Sequence, residues 1–254
     1  LLAGWQRDVL LLDVIPLSLG LETMGGIVEK LIHRNSTVPA SARQVFTTFA
    51  DGQTAMDIHV VQGEREMVRD SRSLARFRLR GIPPLPAGVA RIEVTFSVDS
   101  DGILRVSARE ERTGVEQRIE VKASYGLSDE EVERMLREAL EHASEDMTER
   151  LLRDARVEAD RILAATEAAL EQDGEALLSA GERAEIDAVI AELRAAVEGE
   201  SQQRIRDEIE RLDRVTMTFA QRRMERGIQR ALSGARVDSL EEELKDISTG
   251  HRPH

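Results

Sequence analysis

The stretch Arg91-Ile92-Glu93-Val94-Thr95-Phe96-Ser97-Val98 alternates polar and apolar residues without a break. In an extended chain successive side chains point to opposite faces, so Ile92, Val94, Phe96 and Val98 share one face. Glu93, Thr95 and Ser97 share the other. Such alternation predicts a half-buried antiparallel strand. The same period holds on either side. Met56, Ile58 and Val60 alternate with Asp57 and His59; Leu104, Val106 and Ala108 oppose Arg105 and Ser107; Ile119 and Val121 alternate with Arg118, Glu120 and Lys122. Asp51-Gly52, Asp99-Ser100-Asp101-Gly102 and Arg112-Thr113-Gly114 supply turn signals between these runs. Pro83-Pro84-Leu85-Pro86 cannot join a sheet ladder and reads as a stiff connection. Many short strands joined by hairpins predict a β-sandwich.

Beyond this half the period changes. Ser128-Asp129-Glu130-Glu131 has the form of a capping box, in which the Ser hydroxyl accepts an amide and Glu131 reaches back. No Pro or Gly follows until Gly174, so one long helix or two abutting helices are expected. Their apolar stripe is read as Leu151, Ala155, Ile162, Thr166 and Leu170. Ser179-Ala180-Gly181-Glu182 is a second capping box before Ile186, Val189, Ile190, Leu193 and Val197. A third segment from about Ser201 aligns Ile205, Ile209, Leu212, Thr216 and Phe219. Segments of this kind bury their stripes as a bundle. The fold class expected is therefore α+β in two domains, an antiparallel β-sandwich followed by an α-helical bundle. The divisions are a linker 1–13, a sandwich 14–126, helices 127–232 and a mobile tail 233–254, with a short helix near Leu240–Ile247.

Charge supports the same division. Residues 1–122 carry 16 Lys/Arg and 16 Asp/Glu, whereas the remaining 19 and 32 fall beyond, so the second half holds the whole net charge of -13. An acidic helical half argues against nucleic-acid or anionic-membrane partners, which require a basic footprint. There is no cysteine, which excludes disulfides, thiol catalysis and Cys-based zinc sites and fits a reducing compartment. No run approaches the roughly 18 apolar residues of a membrane span. The histidines His33, His59, His142, His251 and His254 show no metal-ligand spacing beyond the tail pair, and no nucleophile elbow or phosphate loop stands out. His59, in mid-strand, reads as a satisfied structural histidine. The chain is not expected to be an enzyme.

One run remains unexplained by a core. In Asp8-Val9-Leu10-Leu11-Leu12-Asp13-Val14-Ile15-Pro16-Leu17-Ser18-Leu19-Gly20-Leu21-Glu22-Thr23-Met24-Gly25-Gly26 the first half is apolar although no core precedes it. Such an exposed run needs a partner. The stretch resembles the interdomain linker and first strand of DnaK-type heat-shock chaperones, the seventy-kilodalton class. Ile58-His59-Val60-Val61-Gln62-Gly63-Glu64-Arg65, Arg91–Phe96, Asp101–Ala108 and Lys122-Ala123-Ser124-Tyr125-Gly126-Leu127 extend the resemblance in order, over about Val9 to Leu232. Phe46-Thr47-Thr48-Phe49-Ala50-Asp51-Gly52-Gln53-Thr54-Ala55-Met56, Pro84-Leu85-Pro86-Ala87-Gly88, Ser124–Leu127 and Phe219-Ala220-Gln221-Arg222-Arg223-Met224 are similar to the HscA-type branch, devoted to iron–sulfur cluster assembly.

The resemblance implies that this is the substrate-binding half of such a chaperone, an excised fragment expected in the cytoplasm. An extended peptide would lie in a channel at one end of the sandwich, lined by Leu21, Thr23, Ile27, Phe46, Met56, Ile58, Ile92 and Val94. Met24 and Phe49 would arch over it. From the residues alone, Ile58, Ile92 and Val94 read equally as plain strand core. General chaperones of the class usually carry Ala and Val where this chain has Phe49 and Met56, and a flexible Met reshapes the pocket toward a compact ring such as Pro. The implied client is a Leu-Pro-Pro-Val-Lys-like segment of the iron–sulfur scaffold protein. A J-domain co-chaperone and the chaperone's own ATPase domain are further implied partners. That absent domain would hold ATP with Mg, leaving no cofactor here, and Val9, Leu10, Leu11, Leu12 and Asp13 would dock on it. Two family latches between sandwich and helices are altered, because Asp51 and Asp160 remain while their partner positions are Ala164 and Ala87. A general unfolded-protein chaperone fragment and a coiled-coil scaffold are the alternatives, although heptads do not persist beyond about two in a row.

Overall fold

The structure is a computed structural model that describes residues 13–123 and 126–248. The linker residues Val9, Leu10, Leu11 and Leu12, and the pair Ser124-Tyr125, therefore lie outside the described residues. Eight strands form two four-stranded sheets, all pairs antiparallel. Strands β1 (Leu19–Thr23), β2 (Ile27–Ile32), β4 (Ala55–Gln62) and β5 (Arg72–Arg80) lie in the order β2-β1-β4-β5. Strands β3 (Ala40–Thr47), β6 (Arg91–Val98), β7 (Ile103–Glu110) and β8 (Glu116–Lys122) lie in the order β3-β6-β7-β8. Four helices follow: α1 (Asp129–Glu141), α2 (Ala143–Leu177), α3 (Ala180–Glu198) and α4 (Gln202–Ser248).

The alternation in β6 becomes burial. Ile92, Val94, Phe96 and Val98 are buried against Leu104, Val106 and Ala108 of β7 and against Leu19, Leu21, Ile58, Val60 and Leu79 of the other sheet. This aliphatic core, with Phe96 as its one fully buried ring, is the main driving force of the sandwich. Gly20 answers a steric need, since a Cβ there would stand 2.5 Å from the Glu29 carbonyl oxygen on β2. In β4 the period breaks, because His59, Val61 and Gln62 on the strand's second half are buried too. That strand is central, flanked by β1 and β5.

The chain forms two compact units divided at Asp154/Ala155, inside α2 rather than at the Gly126 boundary of the sequence reading. The cause is a set of ion pairs within the first unit. Arg65, Glu66 and Arg69 follow β4, and they hold Asp146, Arg150 and Glu149 in the first turns of α2. Helix α1 starts at Ser128, whose Oγ accepts from Glu131 N at 3.3 Å.

In the second unit α2 (from Ala155), α3 and α4 pack as a bundle. Their buried residues are Ala155, Ala159, Leu163 and Leu170; Ile186, Val189, Ile190, Leu193 and Ala196; and Ile205, Leu212 and Phe219. The stripe on α2 thus differs from expectation. Ala159 and Leu163 occupy its middle, at i, i+4 spacing from Ala155, while Ile162 and Thr166 are only half-buried at its flank. At Ser179 the capping box closes both ways: Glu182 N donates to Ser179 Oγ (3.3 Å) and Ser179 N to Glu182 Oε2 (2.8 Å). The Arg222 guanidinium first, and Ser179 next, draw the Glu182 carboxyl down to about 2. Helix α4 runs on to Ser248, so the short helix expected near 240–247 is part of a longer one. A lone Gly costs a helix only about 1 kcal/mol, and Gly234 lies among good helix formers. No described helix is long and apolar enough to cross a membrane.

Candidate functional site

The registers bring several loops to one end of the sandwich. Leu21 pairs with Val60 and Thr23 with Ile27, so the β1–β2 turn lies at the end where β4 begins. Ala55 pairs with Arg80 and Thr47 with Arg91, which places the β3–β4 and β5–β6 loops at that same end. Hydrogen bonds tie these two loops together. Gly52 N donates to Leu85 O (2.9 Å), Gly88 N to Thr48 O (2.8 Å), and Gly81 N to Thr54 O (3.0 Å). Asp51 Oδ1 accepts from Ala87 N at 2.7 Å. The two altered latch positions on the sandwich are thus bonded to each other. Asp160 and Ala164, one turn apart on α2, are both exposed in the second unit.

At this end the residues expected to line a channel fall into three layers. Leu21, Ile58, Ile92 and Val94 are fully buried, and with half-buried Phe46 and Met56 they belong to one continuous apolar cluster. Cross-strand pairing explains the grouping, since Phe46 lies opposite Ile92, Ile58 opposite Phe77 and Met56 opposite Leu79. Thr23 is half-buried, its hydroxyl donating to Ile27 O at 3.3 Å. Met24 and Phe49 stand out as exposed apolar side chains on the turns, 51% and 37% accessible. Ile27 departs from the grouping: it is buried at 1% but lies outside that cluster, and its backbone pairs with Met67. Asp13, the one described linker residue among those expected, is exposed and its carbonyl accepts from Val38 N.

The buried four serve as core whatever else they do, whereas Met24 and Phe49, with Val89 of the β5–β6 loop, put exposed apolar side chains together at one end. Gln53 fixes the Phe49 turn, its Oε1 accepting from Phe49 N (3.0 Å) and its Nε2 donating to Ala55 O (2.8 Å). The arrangement can take up an extended apolar segment, and no cluster of His, Asp and Glu that could hold a metal ion occurs among the described residues. Sequence reasoning missed Gln53, whose signal is only its position within the Asp51-Gly52 turn.

Comparison with known proteins agrees with the layout of two antiparallel sheets followed by four helices. The family model described as Hsp70 protein matches residues 1–225, and the chain belongs to the Hsp70 family. It is 60% identical over 233 residues to the chaperone protein HscA homolog of Paracidovorax citrulli (strain AAC00-1), covering 92% of this chain and 37% of that protein. The HscA homolog of Ralstonia nicotianae is 59% identical over 243 residues, 94% of this chain and 39% of that protein. The chaperone protein HscA of Photorhabdus laumondii is 58% identical over 235 residues, 92% and 38% respectively. The chain thus spans 37–39% of the length of these relatives.

Proposed function

We propose that this chain is the substrate-holding region of an HscA-type chaperone that grips a short extended apolar segment. The observation that carries the reading is the exposed pair Met24 and Phe49, on turns that the registers bring to one end, above the cluster of Phe46, Met56 and Leu21. Main-chain hydrogen bonds would hold the strand and one apolar side chain would enter the pocket. Burying one aliphatic side chain contributes about 1.5–3 kcal/mol, so affinity is modest.

The client is a Pro-containing segment of the iron–sulfur scaffold protein, similar to Leu-Pro-Pro-Val-Lys, because Met56 shapes a pocket for a compact ring. Release is controlled by ATP bound with Mg in a domain outside this sequence, helped by a J-domain co-chaperone, with Val9–Asp13 as the coupling segment. The protein works in the cytoplasm, without nucleic acid or membrane as partner. The test is competition. Scaffold protein bound to this chain should be displaced by excess Leu-Pro-Pro-Val-Lys peptide and not by a scrambled one. Equal displacement by both would leave only a general apolar binder.

A further inference from the structure

His59 is buried at 5%, and both its ring nitrogens are engaged. Nδ1 lies 2.6 Å from Glu22 Oε2 and Nε2 lies 2.8 Å from Ser73 Oγ. A carboxylate only accepts, so in the neutral imidazole Nδ1 carries the hydrogen and Nε2 turns its lone pair toward the Ser73 hydroxyl. The three residues come from three adjacent strands, Glu22 on β1, His59 on β4 and Ser73 on β5. Ser73 is exposed, while the Glu22 side chain is about one-third accessible at 34% and has Arg76 at 3.9 Å.

A bulge makes this alignment. Val60 pairs with Ala75 but Val61 pairs with Ser73, so Leu74 is an extra residue on β5. In a regular strand Ser73 and Arg76, three apart, would face opposite sides. The extra residue puts both on the outer face with His59, which is how bulges re-aim side chains. The Ser73 hydroxyl satisfies the buried imidazole, and Ser73 is at the same time exposed to solvent. An exposed hydroxyl oriented on a base, itself oriented by a carboxylate, is an activated nucleophile.

We propose that Ser73 is a covalent modification site that takes an acyl group from small activated esters. Ser73 Oγ attacks the acyl carbon and its proton passes to His59 Nε2. The Oγ–C bond forms, the bond from acyl carbon to leaving-group oxygen breaks, and the aryl oxide departs. The imidazolium then returns the proton to solvent. Glu22 is a positioning residue that holds the tautomer. The reaction is stoichiometric, ending at the serine ester, and lies beyond the peptide-holding reading.

The test uses the whole chain with p-nitrophenyl acetate, read by nitrophenolate release and by peptide mapping. We expect one acetyl group on Ser73, none in Ser73→Ala, and acylation slowed about tenfold or more in Glu22→Gln, as loss of an oriented base requires. Acetylation of Lys30 and Lys122 should be unchanged in Glu22→Gln, which separates positioning from a general loss of structure. His59→Gln removes the base itself but disturbs a buried side chain, so Glu22→Gln, at a partly exposed residue, carries the result. Acetylated lysines with an unmodified Ser73, or Ser73 acetylated equally fast in Glu22→Gln, would overturn the proposal.

Discussion

Arg65 and Asp146 form a two-bond pair, Nε to Oδ2 at 2.6 Å and a terminal guanidinium nitrogen to Oδ1 at 2.7 Å, with Glu66 N also donating to Asp146 at 3.4 Å. The pair joins the segment after β4 to the first turn of α2. Both side chains are largely withdrawn from water, at 16% and 6%. Planar bidentate geometry is the strong form of this interaction. Around it Arg69 holds Glu149, and Arg150 reaches Glu66, Glu29 and the Val28 carbonyl.

Asp146→Asn should therefore loosen α2 from the sandwich. Arg65 keeps Asp70 at 3.8 Å, so the loss is that of one charge-assisted pair, about 1–3 kcal/mol. Urea denaturation should show a lowered midpoint for the first unit. Hydrogen exchange should show faster exchange in 143–154, with β6 and β7 unchanged.

The same pairs set an acid limit. Arg65 holds the Asp146 carboxyl below the usual carboxylate range, and Arg69 does the same for Glu149. Burial pushes Glu66 up, but Lys30 and Arg150 outweigh it and leave it lowered. A depressed folded value means the stabilisation is complete above the unfolded carboxylate range of roughly 4 and is lost as pH falls through the folded values. Urea midpoints should stay level between about pH 7 and 5 in this respect and fall below about pH 4. The fall should be shallower in Asp146→Asn.

Ser179→Ala should destabilise the helical unit by about 1 kcal/mol through loss of the N-cap, and leave peptide binding unchanged. Thermal unfolding followed by far-ultraviolet circular dichroism and a peptide titration check the two halves of this statement.

Met56→Val should widen the pocket and shift selectivity from Pro-centred toward Leu-centred peptides. Replacing the unbranched thioether by the shorter, branched Val changes the pocket by about the size of one heavy atom, a difference on the order of 1–3 kcal/mol, so the ratio of the two affinities should change about tenfold. Parallel titrations with the two peptides measure it, and an unchanged ratio would remove Met56 from the specificity argument.

Legibility followed the strength of the local pattern. Ile92, Val94, Phe96 and Val98 were readable because polar neighbours made the period plain, and all four are core. The stripe of α2 was misplaced because an Ala-rich helix offers little contrast: Ala159 is fully buried yet looks like its exposed neighbours. Ile27 is a channel residue only by resemblance to the family, and its backbone bridge to Met67, forty residues on, leaves no local pattern to read. The Glu22–His59–Ser73 alignment was invisible because three strands and a bulge assemble it. The anchoring of α2 by Arg65 and Arg69 was equally hidden, since long-range ion pairs leave no local period.

The central claim is that Met24 and Phe49 mark the mouth of a peptide channel, and a titration tests it most directly. A fluorescent Leu-Pro-Pro-Val-Lys peptide should bind the chain saturably without nucleotide. Phe49→Ala and Met24→Ala should each weaken it about fivefold, the worth of about 1 kcal/mol, with thermal stability unchanged because both side chains are exposed. Unaltered affinity in both variants, or no saturable binding at high micromolar protein, would contradict the account.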